Sequence, residues 1–115
     1  MADDRPTIVV AMNDSVTEAH LAEVLHGIEE EGIPYSLRTL PLSDARDLAH
    51  SAAIESRLGV GVGAADHCVV VTTEKLDFHQ PYITKTLNST PDLDRAIGQN
   101  AARLTKRIPL LTMSN

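Results

Sequence analysis

Residues 58–72, LGVGVGAADHCVVVT, decide the fold of this 115-residue chain. The segments 58–62 and 68–72 are short, apolar and rich in valine, which is typical of strands buried in a sheet. Only residues 63–67 separate them, whereas a crossover between parallel strands needs about a dozen residues. The sequence therefore predicts that these two strands, the third and fourth of the chain, run antiparallel to each other.

Three glycines alternate along the third strand, at positions 59, 61 and 63. A dinucleotide-binding loop would need a GxGxxG turn that opens a helix, whereas these glycines lie within a strand or at its end. We interpret them as positions where another backbone comes close or where the strand bulges.

Residues 7–40 predict two strands and a helix between them. Residues 7–11, TIVVA, form an apolar run that is typical of a strand covered on both faces. Ser15 and Glu18 have the spacing of a capping box, and apolar residues at helical spacing predict a first helix over about 16–31. Residues 35–40 alternate in polarity and predict a second strand at an edge of the sheet.

Two further helices and one strand complete the prediction. A stripe of small apolar residues predicts a second helix over about 44–56, which should pack close to the sheet. Residues 82–86 predict a weaker fifth strand. Thr90 and Pro91 have the features of a helix start, and Pro109 ends the last helix.

The predicted order of elements is β-α-β-α-β-β-β-α. Two right-handed crossovers place the first two helices on opposite faces of the sheet when the second and third strands flank the first. We therefore expect an α/β fold in a single domain over residues 1–115. It is a three-layer α/β/α sandwich around a five-stranded mixed sheet, mostly parallel with one antiparallel strand.

The composition excludes several classes of partner. The chain has 16 acidic and 10 basic residues, a formal charge of −6, whereas nucleic-acid binding usually needs a basic face. Lys106 and Arg107 form the one basic pair that stands out, and we interpret it as interacting with a helix C-terminus. No apolar stretch approaches the ~20 residues of a membrane span. The start, MADDR, does not resemble a signal peptide, so a cytoplasmic protein is expected.

The motifs of common enzyme classes do not occur in the sequence. None of the five histidines pairs with another histidine or with Cys68 at the spacing of a metal site. There is no P-loop, no nucleophile elbow and no Asp-x-His-x-x-Gly element. Cys68 lies in an apolar run and is predicted to be a buried, inert thiol. We therefore expect a protein without catalytic activity or a cofactor of its own.

Two helix features are unusual for a free-standing domain. His20, Glu23, Gly27 and Glu30 fall on one face of the first helix, and we call this set the first-helix stripe. A glycine within a helix costs ~1 kcal/mol relative to alanine, and such a glycine is often kept because another backbone comes close. Asn100 lies on the apolar face of the last helix, where it needs hydrogen-bond partners. We expect it to tie down a loop or a strand end.

Several segments resemble one protein family. Residues 27–35, GIEEEGIPY, resemble the end of the first helix in the small subunits of diol and glycerol dehydratase reactivating factors. The segments 61–62, 66–67 and 69–71 resemble that family's strand hairpin, and residues 93–109 resemble its C-terminal helix. The similarity covers nearly the whole chain. The family fold, a three-layer sandwich with one antiparallel strand, agrees with the residue-level prediction.

The resemblance implies a function that depends on a partner. A large subunit with an actin-like ATPase domain, which holds ATP or ADP and Mg²⁺, would pair with this chain. The complex would bind a cobalamin-dependent dehydratase inactivated by damaged cofactor, and nucleotide-dependent subunit exchange would release the damaged cobalamin. Because the small subunit resembles part of the dehydratase medium subunit, it would act by mimicking the shape of that subunit.

The resemblance also implies a site. The middle glutamate of residues 29–31, Glu30, would reach a metal ion at the large subunit's nucleotide site, and Mg²⁺ favours carboxylate oxygen. The partner interface is expected on the first-helix stripe, and the same face could allow self-association of the isolated chain. Residues 73–80 match the family only loosely, so their contact is left open.

Two other hypotheses belong to different classes. The chain could be a medium-subunit relative that forms part of the cobalamin-dependent dehydratase itself, but that subunit carries an N-terminal extension, and here the first strand follows the start closely. A free-standing α/β ligand-binding domain would need a pocket near Asn13 and Gly63, at the C-terminal ends of strands. The sequence does not distinguish a glycerol from a propane-1,2-diol dehydratase.

Overall fold

The computed structural model describes residues 5–76 and 83–113. Tyr82, predicted to open the fifth strand, and residues 77–80 of the loosely matching segment lie outside it. In chain order the elements are β1 (Ile8–Met12), a 3₁₀ turn (Ala19–Leu21), α1 (Ala22–Glu30), β2 (Tyr35–Thr39), α2 (Ala45–Glu55), β3 (Val60–Ala65), β4 (Cys68–Thr73), β5 (Ile83–Thr86) and α3 (Pro91–Lys106).

The five strands form one mixed sheet in the order β2-β1-β3-β4-β5. β1 is parallel to both of its neighbours, and β4 is antiparallel to β3 and to β5. Because β5 then runs in the same direction as the first three strands, β4 is the one antiparallel strand in the described part of the chain. The predicted topology is confirmed, including the central position of β1 between β2 and β3.

Two hydrophobic clusters, one on each face of the sheet, form the core. Val10 and Val62 lie in the cluster that α1 and α3 cover, together with Val24. Val9 lies in the cluster that α2 covers, together with Leu48. Successive strand residues point to opposite faces, so an unbroken apolar strand serves both clusters. This arrangement confirms the three-layer α/β/α sandwich.

The hairpin between β3 and β4 is tighter than predicted. β3 continues past its predicted end at residue 62 as far as Ala65, which pairs with Cys68. Only Asp66 and His67 form the turn, and their φ angles are 50° and 65°. Positive φ at both positions is the backbone of a two-residue type I′ turn, whose twist matches that of the flanking strands.

The predicted capping box of the first helix is wrong. The Ser15 hydroxyl donates to Asn13 Oδ1 at 2.5 Å and accepts the Asp66 N–H at 2.9 Å. Ser15 therefore ties the end of β1 to the hairpin turn and leaves the helix start to a 3₁₀ turn. Glu18, which precedes that turn, makes no side-chain capping bond. The Ser15 oxygen thus accepts the Asp66 N–H and no N–H of the helix.

The glycines of β3 bring α2 into direct contact with the sheet. A Cβ added to Gly61 would overlap the Ala49 carbonyl oxygen and the Ala53 nitrogen. A Cβ added to Gly63 would overlap the backbone of Ala45 and Ala49. Close backbone approach is therefore confirmed for Gly61 and Gly63, and the small apolar stripe of α2 lies close to the sheet as predicted. The interpretation is wrong for Gly59, which precedes β3 with a φ of 75° and lies beside the Glu74 side chain.

A second pair of glycines brings α1 and α3 together. A Cβ on Gly98 of α3 would overlap the Val24 carbonyl oxygen of α1. A Cβ on Gly27 of α1 would overlap the Arg95 carbonyl oxygen and would lie 2.8 Å from the Gln99 nitrogen. Each helix thus receives the backbone of the other at a position without a side chain.

Ion pairs join the C-terminal ends of α1 and α3. Lys106 Nζ lies 2.7 Å from Glu31 Oε1 and donates to the Glu31 carbonyl oxygen at 2.8 Å, while Arg103 Nε lies 3.3 Å from Glu31 Oε2. The hydrogen bond from Lys106 is the main reason that the pKa of Glu31 lies below its ordinary value. The predicted contact of Lys106 with a helix C-terminus is confirmed, and the helix is α1.

Asn100 fastens the segment that follows α3. Its side chain is fully buried. It donates from Nδ2 to the Leu111 carbonyl oxygen at 3.0 Å, and its Oδ1 accepts the Leu111 N–H at 2.6 Å. The predicted structural role of Asn100 is confirmed, because both halves of its amide are matched by one backbone residue.

A methyl group at the contact of α1 and α3 is expected to destabilise the protein. We expect Gly98→Ala to lower the free energy of unfolding by about 3 kcal/mol or more, at the upper end of overpacking costs. Gly32→Ala is the matched control, because Gly32 has a φ of 80° and open space around it, so that only backbone strain of about 1–2 kcal/mol applies. Urea denaturation measures both, and equal losses would contradict the close contact.

The Glu31 ion pairs predict a pH-dependent difference in stability. The pKa of Glu31 is lowered from its ordinary value of 4.5, so its contribution is present above that value and is lost as the pH falls through the folded-state pKa. Glu31→Gln should therefore melt at a lower temperature than the unmodified protein at neutral pH, and the two melting temperatures should converge in acid. Glu29→Gln, at an exposed neighbour, should show little difference at any pH. A gap that is constant across a pH series of thermal melts would contradict this assignment.

Candidate functional site

The first-helix stripe lies along the junction of α1 and α3. His20 is exposed on the 3₁₀ turn, and its Nδ1 accepts the Thr17 N–H at 3.1 Å. Gly27 is buried against α3. This corrects the expectation that Gly27 contacts a partner, because the backbone that comes close to it belongs to the same chain. Glu23 and Glu30 flank Gly27 and keep part of their side chains in solvent.

Arg95 of α3 binds Glu23 across this junction. Its Nε and Nη2 donate to Glu23 Oε1 at 3.0 and 2.6 Å. His26 lies one turn along α1, with its Nδ1 3.5 Å from Glu23 Oε2. The hydrogen bond from Arg95 is the main cause of the lowered pKa of Glu23. Glu23 is therefore charged at neutral pH, and it accepts two hydrogen bonds from Arg95.

Glu30, the last residue of α1, is held loosely. Its Oε1 accepts from Gln99 Nε2 at 3.1 Å, and Arg95 Nε lies 3.9 Å from the same oxygen. The side chain is 47% exposed, and within residues 5–76 and 83–113 no hydrogen bond reaches Oε2. The protein thus engages one carboxylate oxygen, Oε1, and the described residues leave Oε2 without a hydrogen bond.

The three consecutive glutamates 29–31 have different environments. Glu31 is occupied by Arg103 and Lys106 and keeps only 14% of its side chain exposed. Glu29 is exposed, and its carboxylate makes no hydrogen bond in the described part of the chain. Glu30 lies between these extremes, because it is exposed and also oriented. Of the three, only Glu30 is largely exposed and also hydrogen-bonded through one carboxylate oxygen in the described part of the chain.

The described residues could supply one ligand to a metal ion. Histidine, cysteine and carboxylate side chains do not form any group of three that could hold a metal among them. The Oε2 of Glu30, which accepts no hydrogen bond from the described residues, is a hard donor of the type that Mg²⁺ prefers. The chain therefore fits a shared metal site in which other ligands come from elsewhere, and it does not fit a metal site of its own.

The pocket required of a free-standing ligand-binding domain is only partly present. A shallow depression lies beside Asn13 and is lined by residues 39–43. The Asn13 side chain is already used, since its Nδ2 donates to the Leu42 carbonyl oxygen at 2.9 Å and its Oδ1 accepts the Ser15 N–H at 2.9 Å. Gly63 lies under α2 and cannot line this depression.

Cys68 has the environment of an unreactive thiol. Its side chain is half-buried, and burial is the main cause of its raised pKa. The thiol is therefore protonated at neutral pH, and the protonated form is a poor nucleophile. This agrees with the prediction of an inert cysteine.

Sequence reasoning identified the acidic side of this site and missed its partners on α3. Arg95 and Gln99 lie 72 and 69 positions from the glutamates that they contact, so local periodicity does not connect them. A signal was present, because Arg95, Gln99 and Arg103 follow each other at helical spacing. Each member of that polar row contacts a glutamate of the α1 region: Glu23, Glu30 and Glu31 respectively.

Among the described residues, no helix is both long and apolar enough to cross a bilayer.

Comparisons with known proteins give one consistent result. A family model described as dehydratase medium subunit matches residues 5–111. The propanediol dehydratase-reactivating factor small subunit of Salmonella typhimurium is 42% identical over 105 residues, which are 90% of this chain and 89% of that protein. The diol dehydratase-reactivating factor small subunit of Klebsiella michiganensis is 37% identical over 110 residues, covering 96% of this chain and 87% of that protein.

Solved structures share the fold. A chain in the structure of diol dehydratase-reactivating factor complexed with ADP and Mg²⁺ has a TM-score of 0.88 and 37% identity, covering 95% of this chain and 100% of that chain. A chain of glycerol dehydratase reactivase has a TM-score of 0.90 and 29% identity, covering 94% of this chain and 98% of that chain. The chain therefore belongs to the dehydratase medium subunit family, among the small subunits of dehydratase-reactivating factors.

Proposed function

We propose that this chain is the small subunit of a reactivating factor and that it works by pairing with a large ATPase subunit. The observation that carries the proposal is the likeness to a chain of the reactivating factor solved with ADP and Mg²⁺, which extends over 95% of this chain and all of that one. ATP or ADP and Mg²⁺ lie at the large subunit. The complex acts in the cytoplasm on a cobalamin-dependent diol or glycerol dehydratase.

The chain contributes a binding surface and no reaction chemistry. The names of the curated relatives support this role, since they are described as small subunits of reactivating factors. The matched structures differ from an enzyme subunit in their names as well, since they are described as a reactivating factor and a reactivase.

Subunit exchange follows from the likeness to a dehydratase subunit. The family model that matches residues 5–111 is described as dehydratase medium subunit. A chain with the shape of that subunit can occupy its place against the large ATPase subunit or beside the dehydratase. In this proposal, exchange between the two opens the inactivated dehydratase and lets the damaged cobalamin leave.

The partner surface in this proposal is the exposed edge of the α1–α3 junction. In this proposal Glu30 supplies its Oε2 to the Mg²⁺ at the partner's nucleotide site. His20 and Glu23 lie along the same edge and form its rim. Gly27 acts indirectly, because it lets α3 approach closely enough for Gln99 to orient Glu30.

A second candidate is a medium-subunit relative within the dehydratase itself, and the description of the family model favours it. The curated relatives at 37–42% identity are reactivating-factor small subunits over 87–89% of their length, which favours the first proposal. Co-purification separates the two, since a dehydratase subunit would remain bound to the active enzyme and would not need the ATPase subunit.

The proposal predicts a Mg²⁺-dependent complex. Co-expressed with the large ATPase subunit from the same gene neighbourhood, this chain should co-elute with it from a sizing column in ADP and Mg²⁺. Glu30→Gln should raise the Mg²⁺ concentration at half-maximal assembly by about ten-fold or more, comparable to the loss of one contact to a charged group. Glu29→Gln serves as the matched control and should leave assembly nearly unchanged.

The two parts of the proposal can fail separately. If the unmodified chain forms no complex at any Mg²⁺ concentration, the partner assignment is wrong. If the complex forms and Glu30→Gln assembles with the same Mg²⁺ dependence as Glu29→Gln, the partner assignment stands and the metal contact of Glu30 is wrong.

A further inference from the structure

Arg95 lies between two carboxylates of α1. Its Nε and Nη2 donate to Glu23 Oε1 at 3.0 and 2.6 Å, whereas its Nε lies 3.9 Å from Glu30 Oε1. All three side chains are partly exposed, by 41% for Arg95, 29% for Glu23 and 47% for Glu30. The guanidinium is therefore within reach of both glutamates but is hydrogen-bonded to only one of them.

We propose that Glu23 is a positioning residue that holds Arg95 away from Glu30, so that the Glu30 carboxylate is left free to bind a divalent cation. This inference rests on the proposed metal contact of Glu30. It adds a role for a pair of residues that do not touch the metal.

The geometry gives the reason. The one N–H on Nε of Arg95 points to Glu23, so it cannot donate to Glu30 at the same time. The Nη2 of Arg95 also donates to the same Glu23 oxygen, so two of the guanidinium nitrogens are directed at Glu23. Gln99, which is neutral, orients Glu30 without reducing its negative charge.

The local charge leads to the same conclusion. Glu23, Arg95 and Glu30 together carry one net negative charge, which favours a cation beside Glu30. Without the charge of Glu23, the same group is neutral, and Arg95 has Glu30 as its nearest carboxylate. Arg95 would then neutralise the Glu30 carboxylate, and its positive charge would weaken the attraction of that carboxylate for a cation.

The test is a Mg²⁺ titration of assembly between the immobilised large subunit, loaded with ADP, and variants of this chain. Glu23→Gln is expected to raise the Mg²⁺ midpoint by about two- to five-fold, the effect of one exposed ion pair. Glu29→Gln removes the same charge next to Glu30 without releasing Arg95, so its shift should be smaller. The double variant Glu23→Gln/Arg95→Met should return to the midpoint of the unmodified chain.

A merely structural role for Glu23 predicts different results. Thermal melts of the isolated variants show whether each one folds, and loss of structure would not be repaired by removing Arg95 as well. The inference is overturned if Glu23→Gln shifts the midpoint no more than Glu29→Gln, or if the double variant fails to restore it.

Measurements in the Glu30→Gln variant separate the proposed role of Glu23 from the proposed metal contact of Glu30. If Glu30→Gln raises the Mg²⁺ midpoint and Glu23→Gln adds nothing further in that background, Glu23 acts through Glu30 as proposed. If the two shifts add, Glu23 acts on its own and the inference is wrong although the metal contact stands. If Glu30→Gln has no effect, the metal contact fails and the role of Glu23 fails with it.

Discussion

The direct contact between the backbones of α1 and α3 determines the arrangement of the whole candidate site. Gly27 and Gly98 each lie where a methyl group would overlap a carbonyl oxygen of the opposite helix. Since an ordinary helix pair is separated by its side chains at 8–10 Å, two facing glycines shorten that distance. At this close approach, Arg95 and Gln99 of α3 reach Glu23 and Glu30 of α1 along the exposed edge.

Close backbone contact at glycines also positions the helix on the other face of the sheet. Gly61 and Gly63 let α2 rest on β3, so both outer layers of the sandwich are held by positions that have no side chain. The chain has few aromatic residues, at 3%, and it cannot fill wide gaps with large rings. Close approach of backbones is the alternative way to reach the packing density of a protein interior. A rigid three-layer scaffold is well suited to a subunit whose contribution is its shape.

The sequence was sufficient to predict the topology of the sheet and the acidic residues that α1 contributes to the candidate site. Short apolar runs and a connection too short for a crossover predicted five strands and the antiparallel β4, because these properties are local. The predicted capping box at Ser15 was wrong because the Ser15 oxygen accepts the Asp66 N–H, and only the folded hairpin brings Asp66 there. Gly27 was identified correctly as a place of close approach, but its partner, α3, begins more than 60 positions later.

Glutamates 29–31 show why residue type alone does not define such a site. In the sequence the three residues are identical, and only the resemblance to known small subunits distinguishes the middle one. In the structure, basic residues of α3 occupy Glu31, solvent surrounds Glu29, and a neutral amide orients Glu30. A carboxylate that binds a partner's cation must be fixed in direction and yet not neutralised by its own chain. In the proposed site those two requirements conflict because Arg95 is close to Glu30. Glu23, which accepts the hydrogen bonds of Arg95, therefore belongs to the proposed site although it would not touch the cation.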